Sequence, residues 1–356
     1  KDTLNFQLGA KHNLGSYLDE IQKEFQRAFS RKYCMHPQQS PLACSQQLVA
    51  AHSVSRSSSL TAIAENGHVM QFDASFLSLD KHNGQITPKR IGVNRASTFT
   101  GFCHTHDSQT FSSIDQPITS LSVDQIFLAA YRALCRELFT KTAVSAKAVL
   151  EVSRQLDKGK GKDTQQIIQN FNSMRELGLE AGLRDLRKEK SLYDDSLLHK
   201  SYKGMSYYIV TLDHAVPITC AMGFTPEIDF HGNRLQQLDY PSLHADNMTC
   251  SILKTTTRTA IVFAWLSETN GACSGLVESL HRLKDHQLPS AIVCLIFEYG
   301  ENVFFSPSWW NSLDVMAKKT IERHANSVTG KPDNALRLDG SLQILWSIID
   351  RKKCFA

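Results

Sequence analysis

From Tyr33 to Thr119 the chain runs through short, irregular pieces broken by Pro37, Pro41, Gly67, Gly84, Pro88, Gly92, Gly101 and Pro117. Little of this stretch is large and apolar, so burial alone cannot hold it together. The same stretch carries Cys34, Cys44 and Cys103, and seven of the 14 histidines of the protein fall in its first 110 residues. Thiolate and imidazole ligands on a metal can replace the missing core of a small fold. A metal-supported module is therefore expected here.

The cysteine count points the same way. Nine cysteines, an odd number, are scattered along 356 residues rather than set at short, regular spacings. This argues against a secreted disulfide scaffold and predicts a reducing compartment with thiols free or on metal. Cys135, Cys220, Cys250, Cys273 and Cys294 lie in apolar or mixed stretches and are expected to be buried as small hydrophobes. No role is expected for Cys354, near the end of the chain.

Two segments carry the candidate ligands. Tyr33-Cys34-Met35-His36-Pro37 is followed by Cys44 and then by Ala50-Ala51-His52-Ser53-Val54-Ser55-Arg56-Ser57. Much later come Gly101-Phe102-Cys103-His104-Thr105-His106-Asp107 and Phe111. Cys103-x-x-His106 has knuckle spacing, whereas Cys34 and Cys44 form a pair looser than the usual gap of about two to four residues. The predicted ligands of a structural Zn²⁺ are Cys34, Cys44, Cys103 and His106, with His36 an alternative to either cysteine of the first pair. His68, in Asn66-Gly67-His68, is expected at a turn.

These motifs resemble those of HNH endonucleases. The run from Cys44 through His52 to Ser57 is similar to the element in which a β-hairpin presents the catalytic histidine after the first zinc pair. Phe102 to Phe111 looks like the second knuckle, with His106 in the place of a zinc-binding cysteine. The resemblance covers about residues 30–115 and implies a treble-clef, ββα-metal module. It implies His52 as the general base that activates water against a phosphodiester, and Asp107 in the place of the histidine that holds a catalytic ion. Asn94, or less directly Asn66, would be the counterpart of the middle asparagine. A catalytic Mg²⁺ or Mn²⁺ and a nucleic-acid partner follow from the same resemblance. Ala51 departs from the pattern, because an acidic or histidine ligand often precedes the base.

Other chemistries find less footing. The His104-Thr105-His106-Asp107 run also has the His-x-His form of metal-dependent hydrolases, but it lacks the further ligands that those sites need. There is no Gly-x-Ser-x-Gly elbow and no Gly-x4-Gly-Lys-Ser/Thr loop. The formal charge of +4, from 39 basic and 35 acidic residues, is too small for a broad nucleic-acid-binding field. Residues from Lys1 to Phe25 are polar, with no apolar signal core, and a chain beginning at Lys1 is expected to lack its native start. The longest apolar runs, Ala260 to Leu266 and Ala291 to Phe297, are far shorter than the roughly 20 residues of a membrane span. They read as buried strands. A cytoplasmic protein without membrane contact is expected.

The fold class is read as α+β: a small zinc-supported HNH-like module over 1–119, a helical hairpin over 120–200, and a C-terminal mixed α/β domain over 201–356. A helix over 15–32 starts at Ser16 and carries Tyr17, Ile21, Phe25 and Phe29. A second runs from the Ser122/Asp124 start signal towards Leu156, with Ile126, Ala130, Leu134 and Leu138 as its stripe. The basic turn Lys158 to Lys162 separates it from a third helix over 163–192, with Ile167, Phe171, Met174, Leu177 and Leu186 on its apolar side. Strands are predicted at 207–212, 218–222, 249–253, 259–266, 291–298 and 302–305, the last two joined by a hairpin at Tyr299-Gly300-Glu301. Helices are predicted over 274–285, 308–327 and 340–350. The cluster of Arg154, Lys158, Lys160, Lys162, Arg184, Arg187, Lys188 and Lys190 reads as a solvated helix face interspersed with acids, with phosphate contact as the alternative. Trp309 and Trp310 are expected to pack in the core.

The functional expectation is a zinc-binding HNH-like protein that binds and cleaves nucleic acid. By resemblance, bacterial anti-phage defence is its setting. The alternative is a non-catalytic, zinc-stabilised assembly subunit whose C-terminal domain engages a protein partner or a second copy.

Overall fold

The structure, a computed structural model, describes residues 14–40, 42–45, 47–154, 157, 160–266, 271–327 and 336–356. The N-terminal part comprises α1 (Leu14–Phe29), β1 (Leu48–His52), a π-helical turn (Arg56–Leu60), α2 (Thr61–Ile63), β2 (His68–Asp73), α3 (Phe76–Lys81), β3 (Thr87–Gly92), β4 (Thr98–Cys103) and α4 (His104–Asp115). Three helices follow: α5 (Val123–Val144), α6 (Lys147–Arg154) and α7 (Lys162–His199). The remainder holds β5 (Ser206–Leu212), β6 (Ile218–Phe224), β7 (Met248–Lys254), β8 (Thr259–Trp265), α8 (Gly271–His281), α9 (Leu288–Tyr299), β9 (Val303–Phe305), α10 (Pro307–Ser312), α11 (Val315–Ala325) and β10 (Ile348–Cys354). The mixture of helices with antiparallel strands is α+β, as the sequence predicts.

Two sheets organise these elements. β1 and β4 pair as a short antiparallel ribbon, from Leu48 opposite Cys103 to His52 opposite Thr98. The larger sheet has eight strands in the order β10-β5-β8-β7-β6-β9-β2-β3, with every neighbouring pair antiparallel. Side chains alternate across a strand, which places the sheet between two helical layers. Tyr208, Val210 and Leu212 join the core formed with α8, α9 and α11. Tyr207 and Ile209 point the other way, into a second core with α5, α7, β4 and α4.

Helix α5 is the hinge of this second core. Ser122 caps it, accepting from the Gln125 amide while Gln125 Oε1 accepts from the Ser122 amide. This reciprocal cap satisfies two backbone donors that the helix start leaves orphaned. The β2–β3 hairpin, inserted in sequence between β1 and β4, forms the far edge of the large sheet, where Met70 pairs with Phe305.

Several predicted elements differ. Residues 291–298 are helical, within α9, and every residue from Leu288 to Glu298 is buried. Burial on all sides erases the amphipathic period that distinguishes a helix from a strand. Tyr299-Gly300-Glu301 is consequently a helix-to-strand connection rather than a hairpin. The predicted helix over 340–350 is replaced by extended chain leading into β10. Helix α1 begins at Leu14, so Ser16 lies within it rather than at its start. The predicted 308–327 helix is two, broken at Leu313. The helix from Ser122 stops at Val144 and resumes as α6; Leu156, Lys158 and residues 1–13 lie outside the described residues. Ile167, Phe171, Met174 and Leu177, predicted to pack on the preceding helix, are exposed. Cys135, Cys220, Cys250, Cys273 and Cys294 are buried, and Cys354 is exposed. Trp310 is buried and Trp309 half-buried. Among the described residues no helix is long and apolar enough to cross a membrane.

Candidate metal centre

The four predicted ligands converge from three segments. Cys34 lies on a stretch that runs along β4, with the Tyr33 and Met35 amides donating to Thr100 O and Gly101 O. Gly101 permits that approach: a Cβ there would meet the Phe99 ring at 2.5 Å and Met35 Sδ at 3.2 Å. Cys44 ends a turn in which its amide donates to Ser40 O. Cys103 is the last residue of β4 and the N-cap of α4, its sulfur accepting from the His106 amide at 3.4 Å. His106 sits on the first turn of that helix, so the strand-to-helix junction sets the Cys-x-x-His geometry.

One ligand atom from each of Cys34, Cys44, Cys103 and His106 lies within 4.8 Å of all the others. His106 Nδ1 is 3.3 Å from Cys34 Sγ and 3.4 Å from Cys103 Sγ. A tetrahedral zinc with Zn–S of about 2.3 Å and Zn–N of about 2.0 Å sets sulfur and nitrogen roughly 3.5 Å apart. The Cys3His cluster is therefore compatible with zinc.

The electrostatics suit a cation. Burial and the neighbouring Cys103 and Cys34 thiols push the Cys44 thiol up to about 12. Burial also acts to raise Cys103, but hydrogen bonds from the His106 amide, Ser45 and the adjoining thiols outweigh it and hold that thiol below its ordinary value. Thiolates are the form that binds a metal, and a bound cation would favour them here. Burial lowers His106, which favours the neutral imidazole that a metal needs.

His36 is not a member of the cluster. Its ring stacks on His106 at 3.8 Å between centroids, and its Nδ1 accepts from the Gln38 amide. Behind it, the buried Lys190 donates to Met35 O at 2.7 Å and pairs with Asp194, which also accepts from Tyr131. Helix α7 thus grips the loop that carries Cys34.

The other predicted site residues lie around the ribbon. His52 ends β1, half-buried, with Nε2 3.3 Å from Val93 O. A carbonyl only accepts, so Nε2 carries the proton and Nδ1 is the basic nitrogen. Burial lowers the pKa of His52 and keeps the ring neutral at neutral pH. Asn94 is exposed in the turn before β4; Asn66 lies in the turn before β2, and His68, expected at that turn, is instead the first residue of β2, its Nδ1 donating to Asn66 O. No hydrogen bond joins His52, Asn94 and Asp107 among the described residues.

Asp107 faces a residue that the sequence reading did not single out. Arg132 of α5, 2% exposed, makes a two-pronged pair with Asp115 at 2.8 and 2.6 Å and stands 3.8 Å from Asp107 Oδ1. Its guanidinium also lies over the Phe111 ring at 4.1 Å. Burial raises the Asp107 carboxyl, against the pull of Arg132. The one signal in the sequence was an arginine inside the apolar run from Ile126 to Leu134. A Mg²⁺ or Mn²⁺ site takes several oxygen ligands. Here the two nearby carboxylates, Asp107 and Asp115, already face the buried Arg132 and do not make such a donor set.

Compared with protein-family models, curated proteins and solved structures, the chain has no match.

Proposed function

We propose that this protein is a zinc-stabilised HNH-like nuclease that acts on a phosphodiester at the open end of the β1–β4 ribbon. The observation that carries the reading is the antiparallel β1–β4 ribbon, split in sequence by the β2–β3 insertion, running into α4 and closed by the Cys3His cluster, with His52 at the end of its first strand. Zinc, held by Cys34, Cys44, Cys103 and His106, would fix the ribbon to the helix and supply no reaction step. His52 Nδ1 takes a proton from water, while the Val93 carbonyl fixes the ring orientation. Bacterial defence against phage remains the setting that the resemblance suggests.

A second reading is favoured by one specific feature. Arg132 occupies the position beside Asp107 where a catalytic cation would be expected, and it is itself buried and paired. In that reading the module is a non-catalytic, zinc-stabilised unit of an assembly. The test is degradation of plasmid DNA and RNA by purified protein, with and without Mg²⁺ or Mn²⁺, alongside zinc content. Cleavage lost in His52→Ala at unchanged zinc supports the nuclease. Equal cleavage by both proteins, or none by either, overturns it in favour of the second reading.

A further inference from the structure

Helix α4 lays one stripe of side chains against α5. Asp107, Phe111 and Asp115 follow one another at four-residue spacing, so they share a face of α4. All three meet the same residue. Arg132 donates to both oxygens of Asp115, at 2.8 and 2.6 Å. Its guanidinium stands over the Phe111 ring at 4.1 Å and lies 3.8 Å from Asp107 Oδ1. That oxygen is buried and makes no hydrogen bond among the described residues, so the guanidinium is the charge it faces. Arg132 and Asp115 both act on the charge of His52, which sets the cluster beside the end of the ribbon. Among the described residues the one group of three or more His, Cys, Asp or Glu ligands is Cys34, Cys44, Cys103 and His106. Asp107 and Asp115 therefore have no third partner of that kind.

We propose that Arg132 is the resident cation of this site, filling the place beside Asp107 that the HNH resemblance gives to a divalent ion. Arginine suits that place because it keeps its charge throughout the working pH range and grips a carboxylate through two parallel bonds. It also cannot step aside. Its side chain is 2% exposed, on a stretch of α5 buried without a break from Ile126 to Cys135. A guanidinium pulled from its carboxylates there would be a bare charge in the core. A divalent ion at Asp107 would stand a few ångströms from a fixed positive charge, with its donors already engaged. The chain is thus built to hold no Mg²⁺ or Mn²⁺ at Asp107, and any cleavage centred on His52 is independent of added divalent ions. Independence of cleavage rests on the nuclease reading, whereas occupancy of the site by Arg132 does not.

The experiment is Mn²⁺ binding to the purified full chain, read from loss of the free-ion signal in electron paramagnetic resonance. Wild type should show no site at Asp107 tighter than about 1 mM. Arg132→Met keeps bulk over Phe111, removes the charge and frees both carboxylates. It should tighten Mn²⁺ binding at least about tenfold, and adding Asp107→Asn should cancel the gain. Circular dichroism checks the fold; Arg132→Gln replaces the methionine variant should that one unfold, and the wild-type measurement decides if neither folds. A wild-type Mn²⁺ site tighter than about 1 mM that Asp107→Asn removes overturns the proposal. A folded Arg132 variant that gains no Mn²⁺ affinity overturns it as well. Cleavage that requires added Mg²⁺ or Mn²⁺ overturns it while leaving the nuclease reading intact. Absence of cleavage under every condition overturns the nuclease reading alone, and Mn²⁺ binding still decides the place of Arg132.

Discussion

Around Cys103 four polar ligand groups from three segments meet within 4.8 Å, whereas around Phe263 strands β5, β7 and β8 bury apolar side chains on both faces. The first region gains its order from a handful of specific contacts, the second from many interchangeable ones. Loss of one member should therefore be all-or-none in the Cys3His region and graded in the sheet. The ribbon is only two strands wide, and a two-stranded ribbon is marginal in water without further support. The eight-stranded sheet has a helical layer on each face and needs no such fastening.

The sharpest break comes from removing the proposed zinc. Structural zinc in small folds contributes on the order of 10–16 kcal/mol of apparent binding energy at neutral pH. Cys103→Ala, or a strong chelator, should release order in the ribbon and α4 while β5 to β8 persist. Hydrogen exchange resolved by peptide should show early labelling of 33–52 and 98–115 against continued protection of 206–212 and 259–265. Simultaneous labelling of both would erase the distinction.

A substitution in the sheet gives the graded counterpart. Phe263 is fully buried and stacks with Tyr208. Phe263→Ala should cost about 3–5 kcal/mol. Denaturant unfolding should show a lower midpoint, with zinc content maintained in the protein that remains folded.

The smallest effect concerns pH, at the α7 seam between the two regions. Burial pushes the Glu189 carboxyl up to about 7, against hydrogen bonds from Asn247 and with Asp246 and Asp185 adding to the rise. Tyr193 and Cys273 are the other titratable neighbours. A folded pKa above the unfolded value means that the native state holds a proton which the unfolded chain has lost. Stability from this group is thus complete below about pH 4.3 and falls as pH rises through about 7, by up to roughly 3 kcal/mol. Glu189→Gln should flatten that part of the stability curve. Chemical denaturation from pH 4 to 8 checks it, and an unchanged slope would refute it.

These contrasts also explain what could be read from the sequence. The Cys3His cluster was legible because cysteine and histidine have few other reasons to recur at knuckle spacing. Helix α5 was legible from its cap at Ser122 and its apolar stripe, and β5, β6 and β8 from β-branched and aromatic runs between turns. Helix α9 was not, since a helix buried on every side has no pattern of its own. For Ile167 to Leu177 the period was correct but the side it faces was not, because periodicity marks an apolar face without saying what covers it. Arg132 was missed for the converse reason: its carboxylate partners, Asp107 and Asp115, come from a different helix.

The inserted hairpin has a consequence for biosynthesis. Glu65 Oε1 accepts from Ser306 Oγ and from the Ser308 amide, and the Glu65–Ser306 pair spans 241 positions of sequence. On the ribosome β2 and β3 emerge long before β9, the strand that they join. Translation at about 5–20 residues per second leaves that edge without its neighbour for roughly 12–50 seconds. The nascent chain must keep it from pairing elsewhere, while the cysteines that would close the metal module are already outside the exit tunnel.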